Sequence, residues 1–358
     1  MAMNSRNKVK DIQRIILLEK MDALFISNIK NVRYLTGFTG SSAFILITPD
    51  RGLFFTDFRY MEQAETEVKG WEIGIEKGKR INFLSNLMRK LAIKKLGFET
   101  SISYDFYVLL TKIKIMPIAL KNPVENYRKV KENSEIDEIR KAISRAEEAF
   151  LKIKPRIKIG VRERQIALEL EERLKRAGCN AIPFEIIVTS GKNSSMPHAK
   201  PTDKKLGSGD FVIIDWGGEA NGYYSDMTRT FLLVGEHLAE KKRIYDIVNK
   251  AREEAIKSVR EGIRANEIDG VARNIIKNAG LGDYFGHATG HGVGLEVHEE
   301  PRIAWTNRER IAEGMVFTIE PGVYKPNLGG VRIEDMIILK KGGPTLLTTL
   351  SRELEIIR

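Results

Sequence analysis

Four carboxylates in the C-terminal half each interrupt a mostly apolar, β-rich stretch: Asp215 in VIIDWGG, Asp226 in YYSDMTRT, Glu320 in FTIEPG and Glu334 in VRIEDMII. Carrying a carboxylate into a sheet costs several kcal/mol unless it is paired or bound to a cation. A fold that buries these strands must therefore give the four acids a common partner. The loop GGEANG joins Phe211–Trp216 to the β-rich stretch Tyr223–Val234, and a hairpin there sets Asp215 near Asp226. Like charges at that separation repel strongly without a cation. Each acid taken singly reads as a salt-bridge or strand-end residue; the combination points to metal. Four acids with one imidazole suit two divalent ions, and oxygen-rich ligation favours Mn²⁺, Co²⁺ or Fe²⁺ over a thiolate-type zinc site.

The rest of the chain supplies a scaffold in two parts, as 358 residues favour. Helical spacing of Ile12, Ile15 and Ile16 within Asn7–Lys20 is followed by a strand at Ala23–Ile26 and a hairpin, Ala43–Thr48 with Leu53–Thr56, around Pro49-Asp50-Arg51-Gly52. Helices over Asp57–Val68 and Ile81–Ile93 and a strand at Lys95–Glu99 complete a layered α/β domain. The polar stretch Asn122–Asn133 reads as a linker, which divides the chain into domains 1–125 and 126–358. Beyond it, Ser134 and Asp137 have capping-box spacing ahead of Ile136, Ile139, Ile143, Ala146 and Phe150, one helical face. Further helices are expected at Glu163–Ala177, Lys241–Arg260 and Asn266–Ala279, ending near Gly178, Gly262 and Gly280. With strands at Phe211–Trp216, Tyr223–Val234, Val316–Glu320 and Val331–Leu339, this is an α+β domain.

Several function classes fall away. The net charge of +11 invites a nucleic-acid partner, but 21 Lys and Arg face 13 Asp and Glu up to residue 128, against 38 and 35 beyond it. The excess is N-terminal and spread over helical faces such as Lys8, Lys10, Arg14 and Lys20, without the interleaved aromatics of a single-strand platform. No nucleic-acid partner is expected. Apolar runs such as Ala43–Ile47 fall far short of the roughly 20 residues that span a bilayer, so no membrane association is expected either. The apolar run Ile15–Leu18 is too short for a signal peptide, and the single cysteine, Cys179, fits a reducing compartment. A cytoplasmic setting is the expectation.

All five histidines follow residue 197. His287 and His291 have the spacing of a zinc-metallopeptidase helix, but GHATGHGVG lacks its glutamate and sets Gly290 and Gly292 around the second histidine, so no helix is expected there. The glycines also lack the spacing and framing of a phosphate loop.

The blocks DWGG, SDMTRT, HATGHGVGLEVHE, TIEPGVY and VRIED, in this order, resemble the pita-bread (creatinase/aminopeptidase) metallopeptidases, most closely their proline-specific members, the Xaa-Pro aminopeptidases and prolidases. Residues 34–64 also resemble the creatinase-like N-terminal domain of those enzymes. The resemblance implies an α/β creatinase-like domain followed by an α+β pita-bread catalytic domain. It implies that Asp215 binds one metal, that Asp226 and Glu334 bridge both, and that His291 and Glu320 hold the other. The ions would be Mn²⁺ or Co²⁺, with Fe²⁺ or Zn²⁺ as further options. The implied chemistry is attack of a metal-bridging hydroxide on the carbonyl preceding proline, with Glu320 as proton acceptor and His198 and His298 as outer-shell groups. Arg332 either neutralises the carboxylate cluster or contacts substrate, and His287 is equally open. His237 matches nothing and reads as a surface residue. Arg302 matches a position at which microbial prolidases meet the substrate carboxylate, but it could equally pair with Glu299 or Glu300, so dipeptidase and aminopeptidase readings both stand. A homodimer is implied. Retention of every ligand position weighs against an inactive pita-bread scaffold, the alternative.

Overall fold

A computed structural model describes residues 2–358, with side chains from Lys8 onward. Two compact units part between Arg128 and Lys129. In the first, a six-stranded sheet runs in the order Glu72–Ile75, Gly52–Thr56, Ala43–Ile47, Ala23–Ile26, Lys95–Glu99, Met116–Leu120. The expected hairpin pairs Ala43 with Thr56 and Ile47 with Gly52. Residues alternate between two cores: Leu24, Ile26, Ile45 and Ile47 join Ile12, Ile16, Val32 and Leu35 from helices on one face, while Phe25, Phe44, Leu46 and Phe55 join Leu84 and Met88 on the other. Burial on both faces is what a sheet with helices on either side requires, and it explains apolar runs with no polar alternation. The expected linker is not loose chain. Glu125–Arg128 is a helical turn, and Val124 and Arg128 are buried.

The second unit holds a four-stranded sheet (Ile356–Ile357, Met227–Leu233, Phe211–Trp216, Ile187–Ser190) and a five-stranded one (Glu299–Ile303, Gly290–Gly292, Val316–Ile319, Asp335–Lys340, Gly343–Leu346). Helices Asn133–Ile153 and Glu163–Arg176 pack in one core with Val212, Ile214 and Trp216; Leu238–Ser258 and Ala265–Asn278 pack in another with Phe317, Ile319, Ile337 and Leu339. No described helix is long and apolar enough to cross a membrane.

Three expectations need correction. The helix after the linker begins at Asn133, and its capping box is made by Glu132 and Glu135, not Ser134 and Asp137; the Glu135 carboxylate reaches back to accept the Glu132 N–H at 3.1 Å. The stretches Tyr223–Val234 and Val331–Leu339 are each broken, into Tyr223–Tyr224 and Met227–Leu233, and into Gly329–Arg332 and Asp335–Lys340. The breaks fall at Asp226 and Glu334, where ladder pairing gives way to carboxylate placement. Finally, Gly290–Gly292 and Glu299–Ile303, unassigned from sequence, are strands.

Candidate metal centre

Asp215 owes its direction to strand alternation. Val212, Ile214 and Trp216 face the first core, where Trp216 stacks on Phe150 at 4.3 Å and donates Nε1–H to the Ala146 carbonyl at 3.0 Å. Asp215 therefore points from the opposite face. Hairpin register sets it opposite Thr228, two residues past Asp226. His291 lies on a strand whose glycines are obligatory: a Cβ at Gly290 would sit 1.9 Å from the Thr318 carbonyl oxygen, and one at Gly292 2.3 Å from that of Glu300. This close approach allows Thr318 Oγ1 to accept the His291 N–H at 3.1 Å and to donate to Glu320 Oε1 at 3.2 Å.

Donor atoms of Asp215, Asp226 and Glu334, of His291, Glu320 and Glu334, and of Asp226, His291 and His298 form three overlapping groups, each within 4.8 Å. His291 Nδ1–H is turned to the Gly292 carbonyl at 3.1 Å, which leaves Nε2 3.3 Å from Glu320 Oε1 and 3.5 Å from Asp226 Oδ2. Arg332 donates Nη2–H to Asp215 Oδ2 at 2.6 Å, Nη1–H to the Tyr324 hydroxyl at 2.8 Å and Nε–H to Thr228 Oγ1 at 3.1 Å. Thr228 in turn donates to Glu334 Oε2 at 2.7 Å. His287 reaches the same cluster through Nε2, 3.0 Å from the Tyr324 hydroxyl.

Electrostatics show strain. Burial, then the neighbouring carboxylates, pushes Asp226 and Glu334 well above the usual range; burial also raises Asp215, against the opposing charge of Arg332. Burial would raise Glu320 too, but the hydrogen bond and charge of His291 outweigh it and bring Glu320 to about 2, while His291 is itself raised. Burial lowers His287 and His298 and lifts Tyr324 to about 12. Two oxygens of the cluster, Asp215 Oδ1 and Glu334 Oε1, are buried with no hydrogen-bond partner among the described residues. A cluster of four carboxylates with orphaned acceptors fits divalent cations by the chemistry of its donors.

The structure thus gathers Asp215, Asp226, His291, Glu320 and Glu334, sets His298 edge-on to His291 at 4.2 Å, and ties Arg332 and His287 to them. His198 is exposed, and the neighbouring Pro197 carbonyl accepts from Arg332 at 3.2 Å. Arg302 is exposed, and no pairing of its guanidinium with Glu299 or Glu300 is seen among the described residues: Glu299 is bound to Lys131 at 2.6 Å, and Glu300 accepts the Arg302 backbone N–H at 2.9 Å. His237 is exposed, ahead of helix Leu238–Ser258. Sequence reasoning gave Tyr324 and Thr228 no role, although TIEPGVY and SDMTRT contain them.

Residues 137–341 match metallopeptidase family M24, and residues 8–130 match the creatinase/prolidase N-terminal domain. The chain belongs to metallopeptidase family M24, with an α/β creatinase-like domain ahead of the α+β pita-bread domain. It is 40% identical over 342 residues to an uncharacterized peptidase, YqhT, of Bacillus subtilis, covering 94% of this chain and 96% of that one. A solved Xaa-Pro dipeptidase from Bacillus anthracis superposes with a TM-score of 0.95 at 37% identity, covering 99% of this chain and 100% of that one. An X-Pro aminopeptidase from Thermotoga maritima gives 0.88 at 36% identity, with 98% and 99% covered.

Proposed function

We propose that the chain is an exopeptidase that hydrolyses the bond between an N-terminal residue and proline, using two divalent cations, Mn²⁺ or Co²⁺ foremost, held by Asp215, Asp226, His291, Glu320 and Glu334. The observation that carries the metal reading is the pair of orphaned oxygens, Asp215 Oδ1 and Glu334 Oε1, inside overlapping donor groups. When bound, such ions acidify water and polarise a carbonyl. Glu320, ionised across neutral pH, accepts the proton released by the attacking water. His298, beside His291, and His198 donate to the oxyanion that develops on the scissile carbonyl or to the proline-side carbonyl. Tyr324 and Arg332 hold His287 and Asp215 in place, and His287 and Arg332 line the substrate side. Support for proline comes from relatives bearing both dipeptidase and aminopeptidase names. The ring fixes φ and removes an N–H, so a pocket can select on shape and on an absent donor.

The test is hydrolysis of a Xaa-Pro dipeptide, its tripeptide extension and the Xaa-Ala counterpart after loading with Mn²⁺ or Co²⁺. Alanine should slow cleavage markedly; indifference to it would remove proline specificity. With no ion pair among the described residues, the Arg302 guanidinium is free to meet a dipeptide carboxylate. Arg302→Ala should then cost about 1.5–3 kcal/mol on the dipeptide and little on the extended peptide; equal losses would make Arg302 structural. A homodimer in a reducing cytoplasm completes the proposal, supported by the family resemblance and by the lone, buried Cys179. Light scattering that shows an active monomer at every concentration would contradict the dimer.

A further inference from the structure

The segment 285–289 carries His287 to the strand Gly290–Gly292, yet it lies outside every helix and strand. Two side chains one turn apart on helix Ala265–Asn278 hold it. Asp269, fully buried, accepts Arg273 Nε–H and Nη2–H at 2.8 Å each, and it also accepts the Thr289 hydroxyl at 2.8 Å and the Thr289 N–H at 3.2 Å. Arg273 also donates Nη1–H to the Phe285 carbonyl at 2.9 Å and its second Nη2–H to the His287 carbonyl at 2.8 Å. The Phe285 and Trp305 ring centroids lie 4.3 and 4.7 Å from its guanidinium carbon, and Trp305 is half exposed. The grip continues into the carboxylate cluster, because the Thr289 carbonyl accepts the Glu320 N–H at 2.8 Å.

We propose that Asp269 and Arg273 are positioning residues: Arg273 sets His287 for substrate, and Asp269, through Thr289, sets Glu320 for metal. The inference rests on the roles given above to His287 and Glu320. A planar fork is required, since one ammonium cannot satisfy two carbonyls and both carboxylate oxygens together. Arg273→Lys keeps the charge opposite Asp269 and removes the fork. In the metal-free protein, hydrogen exchange of residues 285–291 should accelerate by about tenfold or more while that of helix Ala265–Asn278 is unchanged. In the loaded enzyme, KM for a Xaa-Pro peptide should rise about tenfold, with kcat and Mn²⁺ affinity near wild type. Thr289→Ala should instead weaken Mn²⁺ binding about tenfold by calorimetry, and Thr289→Ser, which restores the hydroxyl, should recover it. Wild-type exchange in Arg273→Lys, or a Thr289→Ala protein that binds Mn²⁺ normally, overturns the proposal. Accelerated exchange in a protein whose wild type cleaves no peptide supports the clamp and removes only the peptidase reading.

Discussion

Glu334 and Asp335 are consecutive, both buried, and treated in opposite ways. Asp335 accepts from Arg229 at 2.8 Å, from Arg252 at 2.5 Å, from Arg352 at 3.1 Å and from Thr348 at 2.7 Å. Burial alone would raise it, but the three guanidinium groups outweigh that and hold it below the usual range. Among the described residues Glu334 receives only the Thr228 hydroxyl and keeps Oε1 unpartnered, and burial raises it. Glu334 falls in the break between strands Gly329–Arg332 and Asp335–Lys340, where it meets the other acids, whereas Asp335 is the first residue of its strand. A carboxylate saturated with arginine is fixed as structure, whereas one starved of donors beside three other acids is poised for a cation.

The sharpest way to break this contrast is Glu334→Gln. It should abolish Mn²⁺ uptake and reduce turnover to background, while the metal-free protein becomes no less stable in urea, because a neutral amide is cheaper to bury than a carboxylate. Asp335→Ala should do the reverse, leaving Arg229 and Arg252 buried without a counter-charge at a cost of about 3–5 kcal/mol; denaturation midpoints for the two variants would show the inversion, and similar midpoints would erase it. pH should separate the two carboxylates further. Asp226 and Glu334 have raised folded-state values, so the unfolded chain releases their protons first and metal-free stability falls as pH climbs above 3.8 and 4.5. Asp335 and Glu320 are lowered, so their contribution is present above the ordinary values and is lost as pH falls below them, toward about 2 for Glu320. Melts of the chelated protein should therefore peak near the ordinary carboxylate range, and bound metal should remove the decline toward neutrality. The smallest effect belongs to Thr348→Ala, about 1 kcal/mol, since three arginines still hold Asp335; a loss approaching that of Asp335→Ala would mean that saturation is not what secures this residue.

What could be seen in the sequence follows from range. The sheet-borne acids were legible because each breaks its own apolar run, and GGEANG announces the hairpin that pairs Asp215 with Thr228. The strand breaks at Asp226 and Glu334 were not, since nothing local distinguishes a carboxylate within a ladder from one at its edge. Asp335 and Asp269 were invisible for another reason. The arginines of Asp335 stand 106, 83 and 17 residues away, and Thr289 stands 20 from Asp269, so their neutralisation has no sequence signature. Glu132 takes the cap beside Lys131, whose N–H is tied to the Gly314 carbonyl at 2.9 Å, a long-range contact that nothing around Ser134 announces.

Besides Asp335, Arg229 donates to the Thr228 and Glu334 carbonyls at 2.9 and 2.6 Å and to the carbonyls of Leu350 and Ser351 at 3.0 and 2.9 Å. The last two acceptors are translated 121 and 122 residues after it. A nascent chain can close the hairpin around Asp215 and Asp226 early, but two of the carbonyls that hold the guanidinium bracing Glu334 arrive only with residues 350 and 351. The brace behind Glu334 is thereby completed later in synthesis than any residue of the carboxylate cluster itself, whose members all precede residue 335.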